Sequence, residues 1–221
     1  MQETLNDITR HIDISCVRAF HPMADIDRML AFAKEKRFAC VFTLPAYTEY
    51  VVNALKNDTD IHAGGVVSFP SGGDTISSKA RQAYELREMG CQEIDMVMNL
   101  TAFLSQDYLH VIDEIQAVVE HAVEVPVKVI VEAPSLTEIQ LRKAVDLCIL
   151  GNANFVKTST GWYDKPTLLE HIQIMNDQAK GRIKLKAAGG IRTLEDILSM
   201  KNAGCERFGM SLNSSLSLYC K

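Results

Sequence analysis

Five charged residues stand at or near the ends of short apolar segments of this sequence. They are Asp13, Asp95, Glu132, Lys157 and Lys186. The stretch NFVKTSTGW, residues 154–162, illustrates the pattern, because an apolar Phe-Val pair leads into a lysine and then into small hydroxyl residues and a glycine. A buried charge is costly unless it is paired. We therefore expect these residues to lie together in a functional site.

The two lysines predict a particular chemistry. Alternation along extended chain puts Phe155 and Lys157 on one face of a strand, and Lys184 and Lys186 on one face of the next. Adjacent strands lie ~4.8 Å apart, so the two strand-end lysines approach closely if both faces point inward. Desolvation and the like charge then favour a neutral amine, which is the form that a Schiff-base nucleophile requires. Asp95 would handle protons there, although a structural ion pair between Asp95 and one lysine is an open alternative.

The elements that carry these residues alternate between short β-branched runs and longer segments of helical period. The strand candidates are residues 11–15, 39–43, 62–68, 93–99, 127–132, 154–157, 183–187 and 206–209. The amphipathic helical candidates between them include residues 26–36, 75–89, 107–121, 136–150, 166–178 and 194–202. Asp74, Ser135 and Thr193 stand at positions typical of helix N-caps, and glycines follow three of the helical runs.

Eight strand-then-helix units without a linker predict an α/β fold, a TIM (β/α)8 barrel of eight parallel strands, as a single domain of residues 1–221. A doubly wound open sheet is the alternative, but it usually has fewer strands. The active site of such a barrel lies at the carboxyl ends of its strands, where the five charged residues fall. Alternation places Lys184 inward one layer lower, from where we expect it to reach out through the bottom of the barrel.

Two glycine-containing segments follow the last two strands. Residues Gly189, Gly190 and Arg192 come after the seventh strand, and Gly209 and Ser211 come after the eighth, each before a predicted helix. Backbone N–H groups at helix starts bind anions, and these two loops are the recurrent phosphate site of the fold. The pattern therefore predicts a phosphorylated ligand.

Composition excludes several classes of protein. A net charge of −5 argues against nucleic acid as the main partner, and no apolar run is long enough to cross a membrane. The polar start MQETLNDITR is unlike a signal peptide, so we expect a cytoplasmic protein. Six dispersed cysteines without a CxxC pair are expected to be buried hydrophobes, and the six histidines lack metal-ligand spacing. We expect no metal and no cofactor.

The chain resembles the 2-deoxyribose-5-phosphate aldolase family of class I (Schiff-base) aldolases. The segments that carry the resemblance are VSFPSG, EIDMVMN, KVIVE, NFVKTSTG, KAAGGIRT and RFGMS, at residues 67–72, 93–99, 128–132, 154–161, 186–193 and 207–211. They follow the family order from the third strand to the eighth, with a fainter match at Ile12-Asp13. The VKTSTG and KAAGGIRT stretches are together highly specific.

The resemblance implies a role for each matching residue. Lys157 falls on the Schiff-base lysine, Lys186 on the lysine that tunes it, and Asp95 on the proton-handling aspartate. The expected substrate-binding residues are Asp13, Thr158, Gly161, Gly189, Gly190, Arg192, Gly209 and Ser211. The implied reaction cleaves 2-deoxy-D-ribose 5-phosphate reversibly to D-glyceraldehyde 3-phosphate and acetaldehyde, without a metal or cofactor. The implied partners are small phosphorylated sugars and aldehydes, and a homodimer through outer helices is an open expectation.

The sequence also departs from the family pattern. Leu212 follows Ser211 where a second serine is common, and the segments after the first and fourth strands differ. A Schiff-base aldolase with another deoxy sugar, or with a weaker requirement for phosphate, is therefore the first alternative. A phosphate-binding barrel isomerase with Asp95 and Glu132 as acid and base is the second, and a non-catalytic binding barrel is the third.

Overall fold

The computed structural model describes residues 5–163 and 165–219, in which eight parallel strands form a closed barrel in sequence order. The strands are β1 Ile12–Cys16, β2 Cys40–Thr43, β3 His62–Val67, β4 Glu93–Val97, β5 Val127–Ile130, β6 Phe155–Lys157, β7 Lys184–Ala188 and β8 Cys205–Ser211. Each pairs with its neighbours in parallel, and β8 closes the ring on β1. The predicted (β/α)8 barrel is confirmed.

Helices cover the outside of the barrel. They are α1 Leu5–Ile8, α2 Met23–Lys36, α3 Thr48–Leu55, α4 Ile76–Met89, α5 Leu100–Leu104, α6 Tyr108–Ala122, α7 Glu138–Leu150, α8 Leu169–Ala179, α9 Leu194–Asn202 and α10 Leu212–Tyr219. The six named helical segments of the sequence are confirmed to within about three residues. In addition, α1, α3, α5 and α10 occur; at eight residues or fewer each, they are too short for helical periodicity to mark them. No helix within the described ranges is both long and apolar enough to cross a bilayer.

One of the three predicted N-caps is confirmed. The Thr193 hydroxyl accepts from the backbone N–H of Asp196 in a capping box. The other two were placed too early, because Thr75 caps α4 and Thr137 caps α7. The Asp74 carboxylate instead accepts from the Gln82 side chain, and Ser135 ends a short 3-10 turn before its helix begins.

The apolar core lies between the barrel's outer face and the helices, as in other barrels of this kind. The five cysteines that the structure describes are all buried, as predicted, and Cys220 lies outside the described residues. Residues 1–4 and Asp164, which belong to the N-terminal stretch and to the loop after β6, also lie outside them.

The inside of the barrel is largely ionic rather than apolar. Its inward side chains include buried Asp13, Glu93, Asp95, Lys128, Lys157 and Lys186. Lys184 lies at the lower rim, where its side chain is 58% exposed and its Nζ is 3.2 Å from a Glu206 carboxylate oxygen, as the sequence predicts. The fold thus concentrates charge on one axis, in a place shielded from water.

Candidate active site

Asp95 is the centre of the site, and both strand-end lysines bind it. Lys157 Nζ and Lys186 Nζ each lie 2.7 Å from the same oxygen, Asp95 Oδ2. The register explains this arrangement, because Lys157 pairs directly with Lys186 across β6 and β7. Asp95 reaches them from β4, two strands from β6, across the inside of the barrel. The expected approach of the two lysines and Asp95 is confirmed as geometry.

Burial sets the ionisation of the lysine nearest the opening. It lowers the pKa of Lys157 from 10.5 to about 8; the charge of Asp95 acts in the opposite direction, and that of Lys186 adds to the lowering. Burial alone would raise the pKa of Asp95, but the charges of Lys157, Lys186 and Lys128 hold it well below its usual range. A carboxylate therefore faces an amine that is partly neutral near pH 7.

Three further charged residues, which were not predicted from the sequence, lie beneath this centre. Lys128 Nζ is 2.5 Å from Glu93 Oε2 and 3.2 Å from Asp95 Oδ1. The Arg207 guanidinium donates to the carboxylates of both Glu93 and Asp13. We call Glu93, Lys128 and Arg207 the lower layer. Alternation along β4 places Glu93 on the same inward face as Asp95, but none of the three residues lies at the carboxyl end of its strand.

Asp13 joins the lower layer to the upper centre. One of its oxygens accepts from Arg207, and the other lies 2.6 Å from Lys186 Nζ. The side-chain atoms of Asp13, Cys40 and Glu93 approach one another closely enough to resemble a ligand set, within 4.8 Å. The Arg207 guanidinium bridges the two carboxylates of this trio, so their charge is already taken up.

A cavity of about 930 Å³ opens above the centre at the carboxyl ends of the strands. It brings together most of the predicted site residues. The ones that line it are Asp13, Asp95, Lys157, Gly161, Lys186, Gly189, Gly190, Arg192, Gly209 and Ser211. Apolar side chains of Phe42, Val66 and Phe69 also line the cavity, and the Lys186 ammonium lies 4.5 Å from the centre of the Phe42 ring. Such a pocket suits a ligand with one charged end and one carbonyl end.

Two glycines after β7 have a backbone conformation that side chains disfavour. Gly189 has φ +89° and Gly190 has φ +83°, in the left-handed region. A Cβ at Gly189 would collide with the Ser159 hydroxyl, and one at Gly190 would lie 2.6 Å from the Pro166 side chain. The loop can therefore pack against the segment after β6 only without side chains.

Gly209 lies inside a strand and not in the predicted loop. The expected end of β8 at Gly209 was wrong, because the strand continues to Ser211 and α10 begins at Leu212. A Cβ at Gly209 would lie 2.9 Å from that of Ala188 and 3.5 Å from Lys186 Cε. The missing side chain leaves room for the buried lysine.

Two expected contributors point elsewhere. Thr158 is outside the set of cavity-lining residues; its hydroxyl donates to the carbonyl of Ala188 and accepts from the Ala188 N–H, joining the ends of β6 and β7. Glu132 accepts a hydrogen bond from the backbone N–H of Thr160, and burial raises its pKa. The Thr158 hydroxyl is therefore engaged between the two strand ends, and Glu132, like Thr158, is outside the set of cavity-lining residues.

Residues that the sequence did not single out complete the rim of the cavity. Arg18 lines it and donates to the carbonyl of Gly161, and the Trp162 indole N–H donates to the carbonyl of Val17 at 3.0 Å. Ser214 also lines the cavity, with its hydroxyl 3.0 Å from that of Ser211. A pair of serine hydroxyls thus exists although Leu212 occupies the adjacent position.

The chain is similar to aldolases in sequence and in structure. A model of the DeoC/LacD family aldolases matches residues 6–212. The deoxyribose-phosphate aldolase of Klebsiella pneumoniae is 37% identical over 213 residues, which are 96% of this chain and 86% of that protein. The solved structure of QR15, an aldolase, has a TM-score of 0.89 at 35% identity and covers 96% of this chain and 94% of its own. The tetrameric deoxyribose phosphate aldolase from Aeropyrum pernix has a TM-score of 0.86 at 27% identity, over 96% and 89% of the two chains.

Proposed function

Because the chain belongs to the DeoC/LacD family of aldolases, we propose that it is a deoxyribose-phosphate aldolase that forms an imine on Lys157. The reaction cleaves 2-deoxy-D-ribose 5-phosphate reversibly to D-glyceraldehyde 3-phosphate and acetaldehyde. One observation carries the proposal: Lys157 and Lys186 share a single buried carboxylate oxygen of Asp95 at the base of the cavity. That arrangement supplies a neutral amine and a proton acceptor within hydrogen-bond distance of each other.

The first half of the reaction makes the imine. The neutral amine of Lys157 attacks the carbonyl carbon of the open-chain sugar, and loss of water leaves a protonated imine. A pKa of about 8 keeps about a tenth of this amine neutral at pH 7, whereas an ordinary lysine would be almost fully protonated. Lys186 contributes by adding positive charge beside the amine.

The second half breaks the carbon–carbon bond. The proton of the C3 hydroxyl passes to Asp95 through a water, the C2–C3 bonding electrons move toward the imine nitrogen to leave an enamine, and D-glyceraldehyde 3-phosphate departs. The remaining enamine is protonated on carbon, and water hydrolyses the imine to release acetaldehyde and free Lys157. Asp95 suits this exchange because its other hydrogen bonds, from Lys186 and Lys128, hold the carboxylate in place.

The phosphate end of the substrate fits the opposite part of the cavity. Gly189 and Gly190 leave their loop free of side chains, and Arg192 adds a cation before α9. The hydroxyls of Ser211 and Ser214 add donors at the start of α10. A phosphorylated substrate is therefore favoured over a free sugar, and the pair of serines supports this in spite of Leu212. A cytoplasmic location and a homodimer stay predictions.

Borohydride trapping tests the proposal. The protein is incubated with 2-deoxyribose 5-phosphate, reduced with borohydride and digested, and the peptides are read by mass spectrometry. We expect a reduced adduct on the peptide that contains Lys157, and none in Lys157→Met. Lys184→Met, which removes an exposed lysine from β7, is the matched control and should be trapped as readily. An adduct only on another lysine, or cleavage without any adduct, would contradict the assignment.

A further inference from the structure

The ion pairs inside the barrel join seven side chains into one network. Its members are Asp13, Glu93, Asp95, Lys128, Lys157, Lys186 and Arg207. Among the residues that the structure describes, three carboxylates in this network thus face four cationic groups. The charges balance when one cation gives up its proton. Lys157 is the cation nearest the opening, and burial lowers its pKa.

Two contacts connect the lower layer to the upper centre. Lys128, which is fully buried, donates to both Glu93 and Asp95, so its charge is divided between the two carboxylates. On the other side Arg207 donates hydrogen bonds to both Glu93 and Asp13, and Asp13 forms an ion pair with Lys186. The carboxylates that face Lys157 and Lys186 are therefore partly neutralised from below.

We propose that Glu93, Lys128 and Arg207 are positioning residues that fix how much negative charge Asp95 and Asp13 present to the amine of Lys157. None of the three lies among the described residues that line the cavity, so they act through the two aspartates and not on the substrate. The inference rests on the proposed function only in taking Lys157 as the nucleophile.

Removal of a positive and of a negative charge from the lower layer should shift the pKa of Lys157 in opposite directions. Without Lys128, Asp95 loses a partner and attracts the proton of Lys157 more strongly. When Glu93 loses its charge, the cations Lys128 and Arg207 interact more strongly with Asp95 and Asp13. The two aspartates then attract the proton of Lys157 less strongly, and the pKa of Lys157 falls. Removing both at once deletes one positive and one negative charge and restores the balance.

Other titratable groups face this network from the remaining strands, and the variants leave them in place. They are Cys40 on β2, His62 on β3 and Glu132 after β5. His62 Nδ1 is 2.7 Å from Glu93 Oε1, and its side chain is 42% exposed. Burial raises the pKa of Cys40, so it stays a neutral thiol.

The test measures the pKa of Lys157 directly, without turnover. The proteins are acylated briefly with acetic anhydride from pH 6 to 10, and the rate of modification of the Lys157 peptide is read by mass spectrometry. We expect the midpoint to rise by about one pH unit in Lys128→Met and to fall by about one unit in Glu93→Gln. The double variant should return to the wild-type midpoint, and Lys184→Met should not move it.

Three outcomes overturn the inference: unchanged midpoints in both single variants, shifts of the same sign, or a double variant that follows one parent. If Lys128→Met does not fold, the isosteric variant Glu93→Gln is the test on its own. A fall in its acylation midpoint supports the inference, and a rise or no change overturns it. Borohydride trapping of the same proteins separates the two proposals. If Lys157 is trapped but the acylation midpoints do not shift in the variants, only the role of the lower layer is refuted. If wild-type Lys157 is not trapped, the proposed function is refuted.

Discussion

Replacing Lys157 by methionine should abolish turnover and also make the folded protein more stable at neutral pH. Folding transfers this lysine into the barrel and lowers its pKa from 10.5 to about 8. The charged form is therefore penalised in the folded state by about 3 kcal/mol at most, at about 1.4 kcal/mol per pKa unit. Methionine keeps the apolar stem and removes the charge, while Asp95 retains Lys186 and Lys128 as partners.

The pH dependence gives this prediction its sign. Below about pH 8 the lysine is protonated in both the folded and the unfolded state, and the full penalty is present. Between pH 8 and 10.5 the unfolded chain holds the proton and the folded protein has released it, so the stability of the wild type rises with pH. The advantage of Lys157→Met should thus be about 1–3 kcal/mol at pH 7 and should vanish near pH 10.5.

Urea unfolding of both proteins from pH 6 to 10.5 measures this difference. Other groups titrate in the same range, but they are common to the two proteins and cancel in the comparison. Lys184→Met is the control, because it removes a lysine that is exposed and paired with Glu206; its difference from the wild type should stay near zero. A Lys157→Met protein that is less stable than the wild type at pH 7, or a difference that is the same at every pH, would refute the reasoning.

Three more outcomes can be measured. Lys186→Met should raise the pKa of Lys157 and move the acid limb of the kcat/KM profile to higher pH, whereas an equal loss at every pH would identify Lys186 as a direct proton donor. Arg192→Ala should raise KM for the phosphorylated sugar about ten- to hundred-fold with little change in kcat, and an unchanged KM in steady-state assays would exclude a phosphate contact. Thr193→Ala should lower the free energy of unfolding by about 1 kcal/mol through loss of the cap of α9; no change in urea unfolding would contradict this.

The sequence was a sufficient guide to the fold and to the centre of the site because both follow from local periodicity. Alternation along a strand predicted which face carries Lys157 and Lys186, and the register of β6 and β7 has the two in direct pairing. The same alternation applies to Glu93 and Lys128. They were not predicted, because only charges at the carboxyl ends of strands were taken as candidates and these two lie at the start or in the middle of a strand.

Other parts of the site depend on contacts between distant segments, which periodicity does not encode. Arg18 reaches the carbonyl of Gly161, 143 residues later in the chain. Ser214 lies beside Ser211 only because β8 continues past Gly209 and a helix begins at once. Thr158 was expected to offer its hydroxyl to a ligand, but the neighbouring strand end uses it instead.

The buried lower layer closes the bottom of the cavity, and this affects the order in which substrates bind and products leave. Glu93 and Lys128 fill the barrel beneath Asp95 with almost no exposure, so ligands reach Lys157 from above. In the proposed reaction the two-carbon fragment stays covalently attached at the floor, while the phosphorylated fragment lies between it and the opening. The three-carbon phosphate must leave first, and in the reverse direction acetaldehyde must enter first. For the proposed reaction we therefore expect an ordered mechanism, in which the phosphorylated product is released before acetaldehyde.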